Sequence, residues 1–124
     1  MRVLRLAWLG IPTPRYEAMV PLFRDVMGMR VQFAEETTVE LSLPNDDRVQ
    51  LFAPGHPYFG FFGSHAKGPV PLFEVEDVRE ARAELAARDI EVIGDIESDA
   101  SWNWIHVRAP DGNLYELASQ RRSQ

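Results

Sequence analysis

One order of secondary-structure elements occurs twice along this chain, and that repeat constrains the fold more than any other feature of the sequence. In the first half, residues 4–11 predict a strand, the helical spacing of apolar side chains over 15–27 predicts a helix, and three strands follow. Residues 69–118 repeat this β-α-β-β-β order. Two such halves can bury their sheet faces together while each helix covers the other side of its sheet. The sequence therefore predicts an α+β fold made of two βαβββ modules.

Turn and cap residues set the boundaries of these elements. Gly28 ends the first helix, because glycine readily adopts the left-handed conformation found at helix ends, and Asp77 caps the second helix. Residues 44–47 and 110–113 have the composition of turns. The predicted strands cover 4–11, 29–34, 38–43, 48–53, 69–75, 90–93, 102–108 and 114–118.

The length of 124 residues suits one domain. Between the two halves, segment 54–68 is rich in glycine, proline and aromatic residues and follows no helical or strand period, so we expect an ordered linker. Phe59, Phe61 and Phe62 in this linker are expected to cover a cleft or to pack against a second chain. The predicted divisions are module one at about 1–53, the linker at 54–68, module two at 69–118 and a frayed tail at 119–124.

Composition excludes several classes of function. The chain has no cysteine, which excludes disulfides, thiolate metal sites and cysteine catalysis and fits a reducing cytoplasm. The net charge of −6 argues against a nucleic-acid partner, which needs a clustered basic surface. No stretch approaches the roughly 20 apolar residues of a membrane helix. We therefore expect a cytoplasmic protein with neither a nucleic-acid nor a membrane partner.

Three stretches, 22–29, 72–81 and 109–117, resemble elements of the vicinal oxygen chelate superfamily, which contains glyoxalases, bleomycin-resistance proteins and extradiol dioxygenases. The resemblance extends from about Leu4 to Leu117, and the closing hairpin at 109–117 is its most specific part. It implies two βαβββ modules whose sheets curve around a cleft, and it implies a homodimer. In many members of this superfamily, His, Glu or Gln side chains from four strands hold a divalent metal that chelates two oxygens of the substrate.

The resemblance also identifies the positions of those metal ligands in this chain. Glu116 and Gln50 match the last-strand positions of the two modules, whereas Trp8 and Val70 match the first-strand positions. A divalent transition metal generally takes three or more protein ligands. Gln50, Glu116 and His106 are therefore only weak metal candidates; no cofactor is expected, with a divalent metal as the alternative.

Aromatic and polar side chains on the predicted strands indicate a small-molecule site. Because side chains alternate along a strand, Trp102, Trp104 and His106 share one face, and tryptophan rings offer flat surfaces to planar or cationic ligands. Packing in the sheet core or in a dimer seam is the alternative for the tryptophans. His106 and Glu116 form a candidate acid–base pair for catalysis. The predicted ligand-binding residues are Trp8, Gln50, Phe52, Trp102, Trp104, His106 and Glu116.

Three functions stay open at this point. The first is a protein that binds a small molecule in an aromatic cleft without the usual metal. The second is a lyase, isomerase or dioxygenase-type enzyme that uses Glu116 and His106 with or without a divalent metal. The third is a dimeric, non-catalytic interaction module, which a cleft filled by the tryptophans would favour.

Overall fold

Eight strands form one mixed sheet in the structure, a computed structural model that describes residues 1–122. The strand order is β2-β3-β4-β1-β5-β8-β7-β6, which places one module on each side of the β1–β5 pair. This architecture confirms the predicted α+β fold of two βαβββ modules. The elements are β1 (Val3–Pro12), α1 (Tyr16–Pro21), β2 (Arg30–Ala34), β3 (Thr38–Ser42), β4 (Arg48–Phe52), α2 (Pro57–His65), β5 (Val70–Val75), α3 (Val78–Ala87), β6 (Glu91–Ser98), β7 (Trp102–Arg108) and β8 (Leu114–Gln120).

The two modules join within one chain through the antiparallel pair of β1 and β5, in which Trp8 lies opposite Leu72 and Gly10 opposite Val70. The next strand pair on each side, β1 with β4 and β5 with β8, is parallel. Gly10 pairs with Gln50 of β4, and Leu72 pairs with Glu116 of β8. The four positions that resemble metal ligands therefore lie on the four central strands.

The alternation of side chains along the strands divides the sheet into two faces. On the outer face, Leu41 and Leu51 pack against the first helix, and Val75 and Ile105 pack with Ala81 of α3. α3 buries Val78 and Ala81 in these contacts, whereas the first helix packs through the partly buried Met19, Val20 and Phe23. Leu22, Val26 and Met27 of its predicted apolar stripe are exposed. The opposite face stays free to form a cleft.

The first helix changes its geometry at a proline. α1 contains Pro21 and continues as a π-helical segment over Leu22–Val26. Proline has no backbone N–H and cannot make the usual bond to the preceding turn, and such breaks are a common cause of irregular helix geometry. Gly28 follows with φ of 74°, in the left-handed conformation predicted for it.

The segment predicted to be a linker contains a helix. His56 caps α2 by accepting the backbone N–H of Tyr58, and Pro57 occupies the first turn, where no N–H is needed. Gly60 and Gly63 lower the helix propensity of this segment. For this reason its sequence does not predict a helix. Tertiary packing of its aromatic face overrides that weak propensity.

Two strands also extend beyond their predicted ends. β6 continues past Gly94 to Ser98, and β8 continues to Gln120. The tail predicted from residue 119 is therefore corrected, because Ser119 is buried and its hydroxyl accepts the backbone N–H of Val78. Residues 123–124 of that tail lie outside the described residues. Within residues 1–122, none of the helices has the length and apolar character needed to cross a bilayer.

Candidate functional site

A cleft of about 730 Å³ opens on the inner face of the sheet. The central strands form its floor, and α2 and the loop before β7 contribute to its walls. Its aromatic lining consists of Trp8, Phe33, Phe52, His56, Tyr58, Phe62, Trp102 and Trp104. The volume lies in the range of ordinary small-molecule sites.

A chain of hydrogen bonds crosses the floor of the cleft. The indole N–H of Trp8 donates to Oε1 of Gln50 over 3.1 Å. The amide of Gln50 donates to Oγ1 of Thr38 over 2.9 Å, and this hydroxyl donates to the carbonyl of Leu51 over 2.7 Å. The side-chain oxygen of Gln50, the atom that would bind a metal, is thus already an acceptor for Trp8.

The indole of Trp8 reaches Gln50 by lying over Gly10. A Cβ atom placed on Gly10 would come within 2.1 Å of the Trp8 ring, far closer than two carbon atoms can approach. Gly10 is also buried and pairs with Gln50 in the sheet. The absence of a side chain at Gly10 is therefore what allows the observed position of Trp8.

Val70 has the same position in module two as Trp8 has in module one, and it lies in an apolar cluster. Val70 is 0% exposed and packs with Phe52, Phe62 and Leu114. The ring of Phe62, from α2, lies with its centroid 5.2 Å from that of Phe52 and 6.5 Å from that of Trp8. Hydrocarbon and aromatic side chains thus surround the place of the second metal ligand.

These residues do not fit the divalent metal that the superfamily resemblance implies. Trp8 and Val70 supply no metal-binding atom, and the oxygen of Gln50 is bonded to Trp8. Among residues 1–122, no group of three or more His, Cys, Asp or Glu side chains is arranged so that it could hold a metal ion. Glu116 is the one carboxylate at the four positions, and one carboxylate alone makes a weak site.

A buried histidine lies between two carboxylates next to the cleft. Nε2 of His106 is 2.8 Å from Oε2 of Glu116, and Nδ1 of His106 is 3.2 Å from Oε2 of Glu97. The contact with Glu116 is a buried hydrogen bond whose direction depends on the tautomer of the ring, and the contact with Glu97 is a close approach of nitrogen and oxygen.

Burial raises the pKa values of two groups near this histidine, Glu116 and Tyr58. Desolvation raises the pKa of Glu116, and this effect is opposed by its hydrogen bond to His106 and by the charge of that ring. The hydroxyl of Tyr58 donates to Oε1 of Glu97 over 2.6 Å. Burial first, and then the bond to Glu97, raise the pKa of Tyr58, so this phenol stays neutral.

Charged residues line the cleft nearer its opening. Arg48 bonds Glu40 over 3.1 Å and Asp46 over 3.0 Å. Burial raises the pKa of Glu40, an effect that Arg48 opposes. In total four acidic side chains (Glu40, Asp46, Asp99 and Glu116) and two basic ones (Arg5 and Arg48) line the cleft. Acidic side chains therefore outnumber arginines in the lining of the cleft.

The structure brings the predicted site residues together on the inner face. Six of them line the cleft: Trp8, Gln50, Phe52, Trp102, Trp104 and Glu116. His106 is 1% exposed and lies behind Glu116, in contact with it but away from the cleft wall. His65 is turned to Arg108, with 2.7 Å between its Nδ1 and the guanidinium, and it anchors the end of α2.

Glu97, Tyr58 and Gly10 are site residues that the sequence does not predict. Glu97 lies on the part of β6 that follows Gly94, where the sequence shows no alternation of apolar and polar residues. Tyr58 lies on the helix that was predicted to be a linker. The close approach of Trp8 to Gly10 left no signal in a single sequence.

Comparison with known families gives one match that covers most of the chain. The sequence model of the Glyoxalase/Bleomycin resistance protein/Dioxygenase superfamily matches residues 5–117. No curated protein matches the chain.

Solved structures share the fold at low sequence identity. A glyoxalase/bleomycin resistance protein/dioxygenase superfamily member from Vibrio splendidus 12B01 is 22% identical, with a TM-score of 0.69 over 94% of this chain and 98% of that one. Methylmalonyl-CoA epimerase from Mycobacterium tuberculosis is 18% identical, with a TM-score of 0.74 over 97% and 90% of the two chains. A single-residue variant of the Streptomyces coelicolor methylmalonyl-CoA epimerase, in complex with 2-nitronate-propionyl-CoA, is 18% identical, with a TM-score of 0.73 over 98% and 100%. At these identities the likeness establishes the fold.

Proposed function

The chain belongs to the glyoxalase/bleomycin resistance protein/dioxygenase superfamily, and on this premise we propose that it acts as a single domain that binds a planar, cationic small molecule without the metal used by many members. The observation that carries this proposal is the bond between Trp8 and Gln50. Both residues stand at positions that hold metal ligands in many members of the superfamily. In this chain Trp8 donates a hydrogen bond to the oxygen of Gln50 that would otherwise face a metal. The cleft is built there for aromatic contact.

The shape and charge of the cleft support this class of ligand. Trp102 and Trp104 offer flat surfaces along one side, and a cation over such a ring gains roughly 0.5–2 kcal/mol. Asp99 and Glu116 also line the cleft, and neither is paired with an arginine that lines it. The open volume of about 730 Å³ weighs against the third function, because the tryptophans do not fill the cleft.

Titration with proflavine, a planar tricyclic cation, tests the proposal. For a ligand of this size, about 0.3 kcal/mol per heavy atom gives a dissociation constant on the order of 0.1 mM. We expect saturable binding in the presence of a chelator, about tenfold weaker in Trp104→Ala. Tyr115→Ala is the matched control, because Tyr115 stacks on Phe73 outside the cleft lining. Absence of saturable binding, or equal weakening by both variants, would contradict the proposal.

A second candidate function is metal-independent proton transfer of the lyase or isomerase type. The contact of 2.8 Å between His106 and Glu116 favours it, because a buried carboxylate oriented by a hydrogen bond is a suitable general base. The test substrate is 5-nitrobenzisoxazole. The Glu116 carboxylate would take the proton from its C3 carbon while the ring N–O bond breaks, which releases a cyanophenolate. We expect Glu116→Gln to reduce this rate by about 100-fold or more, whereas a rate equal to that of the wild type would exclude Glu116 as the base.

We also propose that the protein is a homodimer. Val3, Leu4 and Leu6 of β1 are all exposed, and adjacent exposed apolar side chains are typical of an interaction surface. A second copy is the occupant that the superfamily resemblance favours. Sedimentation velocity is expected to give a dimer for the wild type and a monomer for Leu6→Glu. A monomeric wild type would contradict this proposal.

We propose a cytoplasmic location as well. It is supported by the absence of cysteine, which is typical of proteins that need no disulfides. Fractionation of the native source, followed by immunodetection, would test this location. Recovery outside the cytoplasmic fraction would overturn it.

A further inference from the structure

We propose that His56 supplies the cleft with a hydrogen-bond donor for its ligand, and that the planar cation bound there carries an acceptor atom at its edge. The donor is the N–H group at Nε2 of the imidazole. This inference deepens the proposed function and rests on it, because the ligand must first occupy the aromatic cleft. It makes His56 a residue that determines ligand specificity.

The cap of α2 fixes the tautomer of the His56 ring. The backbone N–H of Tyr58 donates to Nδ1 of His56 over 3.1 Å. A ring nitrogen that accepts a hydrogen bond carries no proton, so the proton of the neutral imidazole is on Nε2. One side chain therefore holds the start of the helix through Nδ1 and presents a donor through Nε2.

The same contact favours the neutral form of the ring. A proton on Nδ1 would remove the acceptor for the N–H of Tyr58 and break the cap. Burial lowers the pKa of His56 below its usual value of 6.5, an effect that the charge of Glu35 opposes. A neutral ring adds no positive charge to a cleft that is proposed to bind a cation.

Packing and a backbone turn hold the imidazole in place. Its centroid lies 4.9 Å from that of Phe52, with the ring planes at 68°, and 5.9 Å from that of Tyr58, with the planes at 16°. The backbone N–H of His56 donates to the carbonyl of Ala53 over 2.9 Å, which closes a turn before α2. A donor held in this way loses little conformational freedom when a ligand binds.

The Nε2 atom of His56 is open to a ligand. His56 lines the cleft, and the bond at Nδ1 is the one hydrogen bond that its ring makes within residues 1–122. In the same part of the chain, no buried side-chain nitrogen or oxygen lacks a partner. The unpaired Nε2 of this half-buried ring must therefore be accessible.

Two other polar aromatic side chains of the cleft already have acceptors for their protons. The indole N–H of Trp8 donates to Gln50, and the hydroxyl of Tyr58 donates to Glu97 over 2.6 Å. The proton on Nε2 of His56 has no such acceptor among the described residues, so a ligand can supply it. A carbonyl oxygen, an ether oxygen or a neutral ring nitrogen is the kind of atom that fits.

Two probes that differ in one group test the inference. 6-Acetyl-1-methylquinolinium is a planar cation with a carbonyl oxygen, and 6-isopropenyl-1-methylquinolinium has a methylene group in place of that oxygen. Titration of the full chain with each probe, with a chelator present and at a pH above the pKa of His56, gives the ratio of the two dissociation constants. We expect the preference for the acetyl probe to be about three- to tenfold higher in the wild type than in a variant without the donor.

Two substitutions of His56 separate the donor from the cap. Asparagine places its side-chain oxygen near the position of Nδ1, so His56→Asn keeps the cap, but it has no atom at the position of Nε2. Glutamine places its side-chain nitrogen near the position of Nε2, so His56→Gln keeps the donor and loses the cap. We expect His56→Asn to lose the preference for the acetyl probe and His56→Gln to keep most of it.

His65→Asn is the matched control on the same helix. His65 is turned to Arg108 and lies outside the lining of the cleft, so this variant should keep the preference of the wild type. Equal loss of the preference in His56→Asn and His65→Asn would overturn the role of His56, because the effect would then come from the helix as a whole.

Failure of His56 as a donor and failure of cation binding give different results. Binding of both probes with the same preference in the wild type and in His56→Asn would overturn the donor alone. Binding of neither probe would overturn the proposed ligand class and the donor together. Nitrogen-15 spectra of the free wild type add a check without any ligand. A proton is expected on Nε2 of His56, and a neutral ring with its proton on Nδ1 would overturn the inference.

Discussion

The indole N–H of Trp8 donates to the side-chain oxygen of Gln50 over 3.1 Å, so two positions that resemble metal ligands are bonded to each other. This hydrogen bond is partly buried, and a bond of this kind contributes about 1 kcal/mol. A metal that took the oxygen of Gln50 would therefore have to displace the indole and leave its N–H unpaired. This bond is the basis of the proposal that the cleft binds its ligand through aromatic contact and without a metal.

Gly10→Ala is predicted to displace Trp8. The added Cβ would lie 2.1 Å from the indole, so the ring must move and the bond to Gln50 must break. We expect destabilisation of about 1–3 kcal/mol in urea unfolding, together with a changed chemical shift of the Trp8 indole N–H. An unchanged indole signal would mean that Trp8 does not lie over Gly10.

Gly60→Ala is the matched control for that substitution. Gly60 lies inside α2, and nothing lies within 4 Å of a Cβ atom placed there. Alanine is favoured over glycine in a helix by up to about 1 kcal/mol. The control should therefore be neutral or stabilising, and a loss of stability equal to that of Gly10→Ala would contradict the assignment of the effect to Trp8.

Phe62→Ala is predicted to be among the most destabilising changes in the chain. Phe62 is buried in contact with Phe52 and Val70, and truncation of a buried phenylalanine costs about 3–5 kcal/mol. Phe59→Ala, on the same helix but only half-buried, should cost clearly less. Urea unfolding of both variants checks this, and equal costs would show that α2 does not pack into the cleft through Phe62.

The stability of the protein is predicted to depend on the ionisation of Glu116. Because burial raises its pKa above the usual value of 4.5, the folded state holds this proton more tightly than the unfolded state. The stabilisation is complete at low pH and is lost as the pH rises through the folded-state pKa. Wild type should therefore lose stability relative to Glu116→Gln as the pH rises from about 4.5, the usual pKa, through the higher folded-state pKa of Glu116. A relative gain over this range would mean that the hydrogen bond to His106 outweighs burial.

Much of the fold could be predicted because local signals agree with global packing. The alternation of Val39 and Leu41 around Glu40 follows the two faces of the sheet. Met19, Val20 and Phe23 of the predicted helical stripe pack on one of these faces. Asp77 accepts backbone N–H bonds at the start of α3, as its position before an apolar run indicates. Such patterns depend on near neighbours in the sequence.

The rest of the site depends on contacts between distant residues. α2 was missed because its glycines weaken the local helix signal, whereas the burial of Phe62 against Val70 stabilises it. The contact between Glu97 and His106 could not be predicted, because these two residues come close only when β6 pairs with β7. The predicted roles of the cleft residues stay predictions until a ligand is bound.

Metal loading tests most directly the claim that the cleft works without a metal. Chelator-treated protein would be incubated with Zn²⁺, Mn²⁺, Ni²⁺ and Fe²⁺, and its melting temperature and bound metal would be measured. A ligand that binds only the folded state raises the melting temperature by mass action. We predict no stoichiometric metal and no shift. One equivalent of metal with a clear shift that is lost in Glu116→Ala would contradict the claim.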